Sequence, residues 1–181
     1  MTDITAPTES RQVANRARPV TERPVHQYLS FILHGRRYAL DGLCVREIIQ
    51  YQRTTKVPMA NRCVHGVINL RGAVVPVIDL GLRFNQAKTQ IDRRTCIIIV
   101  EVAQPDAPQI LGILVDAVSE VLEVAPTEMN PVPAFGNPIR SDFIHAMVHR
   151  EDDFIILLTI ENALAVAEIA ALPDGNKALS A

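Results

Sequence analysis

Tryptophan is absent from this sequence, and Phe and Tyr bring the aromatic share to only 4%. Any core must therefore be aliphatic. Hydrophobic residues at 48% are enough to form one, and the supply of Val, Ile and Leu favours strands. An excess of either charge is lacking as well: the formal net charge is -2 and the pI is near 6.2, which attracts neither nucleic acid nor an anionic membrane. No apolar run approaches the ~20 residues that a membrane span requires. The N-terminus has no apolar signal-peptide core, so a cytoplasmic location without direct membrane insertion is expected. Cysteine is sparse. Cys44, Cys63 and Cys96 are odd in number and far apart, show no metal-type pairing, and read as reduced, mostly buried thiols.

The usual signs of catalysis are also missing. No glycine-rich phosphate loop is present. His145 and His149 fall in an apolar stretch read as a strand, where a spacing of four puts them ~13 Å apart, too far for one metal. Ser30, Ser119 and Ser141 have no visible catalytic partner in sequence. The expectation is a binding module with no catalytic residue, metal or cofactor. A small β-barrel ligand-binding protein is the remote alternative.

What is present is organised around Gly66 to Leu80. An apolar run rises to Asn69, a turn follows with Gly72 as its positive-φ residue, and a second apolar run closes on Asp79. Pro76 inside the second run suggests an edge strand or a bulge, and Arg71 stands at the turn. Before this hairpin, residues 1–25 read as a disordered tail, mixed in charge and without apolar period. Gln27–Leu33 and Arg37–Leu40 read as a hairpin turning at His34-Gly35-Arg36. Residues 43–49 suit a short helix or an irregular strand, 54–58 a short strand, and 59–65 a helical turn or two. Asp79 is expected to cap a short helix over 80–84.

After a polar loop at 85–94 comes the strongest strand signal, Thr95–Val102, and a return strand at 110–115 whose apolar signal continues to Val124. The proline-rich 126–138 reads as a loop that wraps rather than pairs. A last hairpin spans 143–160, a terminal helix 161–172, and the chain frays over 173–181. The 181 residues thus give a mainly β domain over about 26–172, with strands clustered at roughly 27–84 and 95–160 as two small barrels packed together. Glu47 and Arg71, charges interrupting apolar runs, are the binding candidates the residues themselves offer. Solvated side chains, or a buried Glu-Arg pair, are the bland readings.

The stretch Gly66, Asn69-Leu70-Arg71-Gly72, Pro76-x-x-Asp79-Leu80 resembles the CheW family of chemotaxis coupling proteins. Val45-x-Glu47-Ile48 is similar to that family's Val-x-Glu-Ile signature. Gly112 to Leu122, with Asp116, Val118, Ser119 and Val121, is similar to a second family segment. The resemblance implies two intertwined, SH3-like five-stranded barrels with short helices, a C-terminal helix and a groove between the barrels. It implies a non-enzymatic adaptor joining methyl-accepting receptor tips to the regulatory domain of a CheA-type histidine kinase, with other CheW-like domains as ring neighbours. Matched to family positions, Val45, Glu47, Gly66, Arg71, Val118 and Val121 are its protein-binding residues. Ile49, Gln50, Ala117, Ala146 and Thr159 depart from the family pattern, which leaves open a coupling protein of a non-flagellar pathway, for pilus motility or another task.

Overall fold

Successive residues of a strand face opposite sides of its sheet, so a strand apolar at every position needs a core on each face. Several strands here are of that kind. The computed structural model describes residues 24–171, and those residues form two sheets with few, short helices. The chain runs through β1 (His26–Leu33) and β2 (Arg36–Asp41), a 3-10 turn at Gly42–Cys44, and β3 (Val45–Gln50). Then come β4 (Val64–Leu70), β5 (Ala73–Asp79), α1 (Leu80–Arg83), β6 (Cys96–Val102), β7 (Gln109–Val115) and β8 (Ala117–Val124). It ends in β9 (Met129–Asn130), β10 (Ile144–Arg150), β11 (Asp153–Leu158), α2 (Ile160–Ala163) and α3 (Val166–Ala171).

The six-stranded sheet has the order β8-β1-β2-β11-β10-β9, and the five-stranded sheet β3-β6-β7-β5-β4. The sheets do not divide along the two sequence clusters at 27–84 and 95–160. The chain starts in one sheet with β1 and β2, crosses to the other for β3 to β7, and returns for β8 to β11. The parallel pair β2–β11 joins strands from before and after this excursion, and β5–β7 is a second parallel pair, within the five-stranded sheet. In the second sheet the edge strands are drawn together. Thr55 and Val67 exchange N–H···O bonds of 2.8 Å in both directions, so the strap after β3 closes the barrel onto β4.

Burial explains the continuous apolar runs. Ile97 and Ile99 point into the five-stranded barrel with Ile68, Val75, Val77 and Leu114, while Ile98, Val100 and Val102 point into the core shared by both sheets. Ile155 and Leu157 fill the six-stranded barrel, and Ile156 and Leu158 again face the shared core. The few aromatic rings gather at this seam: Phe31, Tyr38, Phe84 and Phe143 follow one another at centroid spacings of 5.9, 5.7 and 5.8 Å. The core is aliphatic, as expected, except at its centre.

Several local expectations are corrected. Pro76 lies on neither an edge strand nor a bulge of its own, since β5 runs between β7 and β4. Its partner Val67 uses both backbone groups on Thr55, and pairing with β7 starts only at Val77, so no ladder bond is lost at the proline. Residues 43–49 divide between a 3-10 turn and a strand, and 54–58 contributes only the Thr55 bridge. The proline segment pairs briefly, Met129 and Asn130 joining β10. The terminal helix breaks into α2 and α3, and at the break Arg83 donates to the carbonyls of Asn162 and Ala163. Asp79 caps α1 as expected. Being fully buried, it also accepts from the N–H and Oγ1 of Thr89 at 3.0 and 2.9 Å, which anchors the polar loop. Of the three thiols only Cys63 is buried. The expected tail to residue 23 and the frayed end lie outside the described residues.

Candidate protein-binding site

A groove of about 520 Å³ runs where the two sheets meet. Leu29 and Val121, register partners on β1 and β8, form one wall; Val45 and Ile48 of β3 form the other. Leu43 and Val25 complete the apolar lining, among polar positions such as His26 and Asp41. Val121 is 60% exposed and Leu43 90%, so the groove offers apolar surface that nothing among the described residues covers. Local structure holds the geometry. The Asp41 carboxylate accepts from Leu43 N at 2.9 Å, fixing the 3-10 turn that presents Leu43. Buried Ser30 sits at the register shift between β1 and β8. It donates its hydroxyl to Glu120 O at 2.8 Å and accepts from Glu120 N at 3.1 Å. That is a structural duty, and it accounts for one serine weighed for catalysis.

A bulge between Val45 and Glu47 sends these neighbours to different places. Val45 lines the groove, while Glu47 meets Arg71 at the tip of the β4–β5 hairpin. Arg71 Nη1 and Nη2 donate to Glu47 Oε1 and Oε2 at 2.7 and 2.9 Å, a fork-on-fork pair. The pair joins the hairpin to the opposite edge strand of the rolled sheet. It is not buried: the side chains are 77% and 25% exposed. The turn is two residues long, with positive φ at both Arg71 (51°) and Gly72 (86°), and Asn69 Oδ1 accepts from Gly72 N. Positive φ is expected from sequence at Gly72, and Arg71 shares it because a two-residue hairpin turn of this type needs it at both positions.

The other candidates lie elsewhere. Gly66 is buried under the strap, where a Cβ would stand 2.6 Å from Thr55 O and 2.8 Å from Thr54 Oγ1, at a φ of +154°. Its glycine is what lets the strap close the barrel. Val118 packs against the shared core rather than lining the groove. Asp116 pins the first hairpin by accepting from His34 N at 2.7 Å. Leu29, Leu43, Ile48 and Val25 were not singled out beforehand; only the alternation of β3 hinted at Ile48. Phe135 at 89% and Met59 at 95% exposure are further uncovered apolar side chains, and apolar residues between prolines or in turns were the available signal.

The arrangement does not favour chemistry. Among the described residues no three His, Cys, Asp or Glu side chains converge as a metal set. His145 and His149 lie on the exposed face of β10. Burial, with the nearby carboxylates of Asp41 and Glu161, pushes the Cys44 thiol up to about 12, away from thiolate chemistry. No helix among the described residues is long and apolar enough to cross a membrane.

Two intertwined β lobes with an apolar groove between them match known proteins in sequence and in shape. The family model for the CheW-like domain matches residues 27–168. The chain belongs to the CheW family. It is 31% identical over 148 residues to the chemotaxis protein CheW of Klebsiella aerogenes, covering 82% of this chain and 87% of that one. The Bacillus subtilis chemotaxis protein CheW is 33% identical over 148 residues, with 80% and 90% covered. The crystal structure of the scaffolding protein TtCheW from Thermoanaerobacter tengcongensis superposes with a TM-score of 0.69 at 30% identity, over 79% of this chain and 90% of that one. These relatives are named as chemotaxis and scaffolding proteins. This CheW-family chain is accordingly a scaffolding and coupling protein, not an enzyme.

Proposed function

We propose that this chain is the adaptor that joins the helical cytoplasmic tips of methyl-accepting chemotaxis receptors to the regulatory domain of a CheA-type histidine kinase. It would act in the cytoplasm, recruited to receptor arrays, with other CheW-like domains as ring neighbours. The observation that carries the reading is the apolar groove shared by Val45, Ile48 and Val121, uncovered among the described residues. An amphipathic helix binds by laying an apolar stripe into such a groove. The Glu47–Arg71 pair lies on the neighbouring barrel edge, where an exposed charge governs partner register and association rate more than affinity. Gly66 supports both by keeping the barrel closed, and Val118 supports the β8 wall from behind.

The test is reconstitution of this protein with a kinase and a receptor signalling fragment, following kinase autophosphorylation. Activation should need all three components. Val121→Asp should weaken receptor binding by about thirtyfold, as expected for charging the centre of an apolar interface, while the protein stays folded. A protein that binds neither component and leaves the rate unchanged, with partners from flagellar and from other chemosensory clusters alike, would overturn the reading.

A further inference from the structure

Most ion pairs of this chain use arginine: Arg37, Arg46, Arg71, Arg83, Arg140 and Arg150 each have a carboxylate. One concave patch departs from that pattern. Lys56, Arg62 and Lys88 converge on a pocket of about 210 Å³, with His65, Val57 and Leu82 among its walls. They come from three separate stretches: the strap after β3, the turn before β4 and the loop after α1. No carboxylate lines the pocket. Among the described residues Lys56 and Lys88 make no ion pair, and Arg62 donates to the neutral amide oxygen of Asn85 at 3.1 Å.

His65 reports the field there. Its Nε2 lies 3.3 Å from Tyr51 Oη. Burial holds its pKa below the usual 6.5, and Lys88 and Lys56 push the same way, against the opposing pull of buried Asp79. Three cations thus line one small space beside the His65 ring. Like charges gathered round one concave space repel, and a bound anion would remove that repulsion.

We propose that this pocket binds a compact, multiply charged oxyanion of phosphate type, free or as the polyphosphate end of a nucleotide. Arg62 supplies a planar fork, Lys56 and Lys88 supply point charges, and His65 a ring N–H. The pocket's small volume suits such a group better than an extended acidic helix. It shares no residue with the groove, so the inference stands apart from the adaptor reading. Linkage then fixes a sign. An anion offsets the fields of Lys88 and Lys56, so the His65 pKa rises on binding.

The experiment is a titration of the full-length protein with sodium pyrophosphate, at ionic strength held constant with sodium chloride, following the His65 ring by NMR. A saturable shift with a raised His65 pKa is expected. Lys56→Gln with Lys88→Gln, both exposed and so compatible with folding, should weaken affinity about tenfold; Arg62→Gln is the independent second variant. ADP and inorganic phosphate are the further arms. Tighter binding of ADP than of pyrophosphate assigns a nucleotide, and equal or weaker binding assigns a free polyphosphate. A His65 signal that moves no more than with chloride, or a double variant that binds as well as its parent, overturns the proposal.

Discussion

Arg83 and Arg71 both tie together segments far apart in the chain, in opposite surroundings. Arg83 is 2% exposed at its side chain, under the ring of Phe143 at 4.6 Å. It donates to Ala163 O at 2.7 Å and Asn162 O at 3.3 Å, and pairs with Glu168, itself held by Arg140. Arg71 is 77% exposed and has Glu47 as its ion-pair partner. The first arginine is used up by the fold: it ends α2, turns the chain into α3, and docks both against α1. The second keeps its planar fork at the surface, where Glu47 orients it without withdrawing it from solvent. Geometry alone would rank the Arg71 pair the better of the two. Burial decides that Arg83 matters for stability and that the exposed Arg71 pair adds little to it.

The widest gap between them should appear on removal. Arg83→Ala leaves the Ala163 carbonyl without its donor, and Glu168 without one of its cations, in a dry site and should cost about 3 kcal/mol of folding stability, read from urea unfolding. Arg83→Lys separates charge from geometry. Lysine's compact ammonium lacks the planar fork that spans both carbonyls and the carboxylate, so most of the loss should remain. A Lys variant as stable as the parent would show that charge suffices. Next in size is Gly66→Ala. The added methyl meets Thr54 and Thr55 at a positive φ, and the strap must move, at a cost of about 2 kcal/mol. Its effect on partners should then follow from an opened barrel, visible as faster amide exchange at Thr55 and Val67. Unchanged exchange would make Gly66 a contact surface instead.

The two arginines were also unequally legible. Strands were readable because apolar runs bounded by turns leave few alternatives, and the Asn69–Gly72 turn carries its own chemistry. The exchange of strands between sheets was not readable, since β1 pairs equally well in pattern with several partners, and only the register of Leu29 on Val121 selects β8. Arg83 was covered only by the expected short helix over 80–84. Nothing at that position signals carbonyls some 80 residues away. Asp79 was readable as a cap because capping is local, whereas its bond to Thr89 needed the loop to fold back. Val45 and Val121 came from the family resemblance, and Leu43 was missed because no pattern distinguishes an exposed leucine from a buried one.

Smaller effects sharpen the recognition side. Arg71→Ala should change stability by no more than about 0.5 kcal/mol, as exposed pairs do, while receptor-dependent kinase activation weakens. The swap Glu47→Arg with Arg71→Glu asks whether pairing or position matters. If the pair only braces the hairpin, the swap restores activation. If Arg71 meets an anionic partner, the folded double variant stays defective.

The smallest effect is in acid, and it belongs to the Arg83 side alone. Hydrogen bonds from Arg140 hold the Asp142 carboxyl below its usual 3.8. Burial would raise Glu168, but hydrogen bonds from Arg140 and Arg83 outweigh it and hold it below 4.5. Groups with depressed folded pKa values contribute stability above their unfolded values and lose it as pH falls through the folded ones. Stability should therefore decline below about pH 4.5 with a contribution from this cluster. In Arg83→Ala that contribution should shrink, because one of the donors lowering Glu168 is gone. In Arg71→Ala it should be intact, because neither carboxylate touches Arg71. Identical acid limbs in the two variants, measured by urea unfolding across pH, would mean that Arg83 acts through the α2 carbonyls alone, and that Glu168 is held by Arg140 without it.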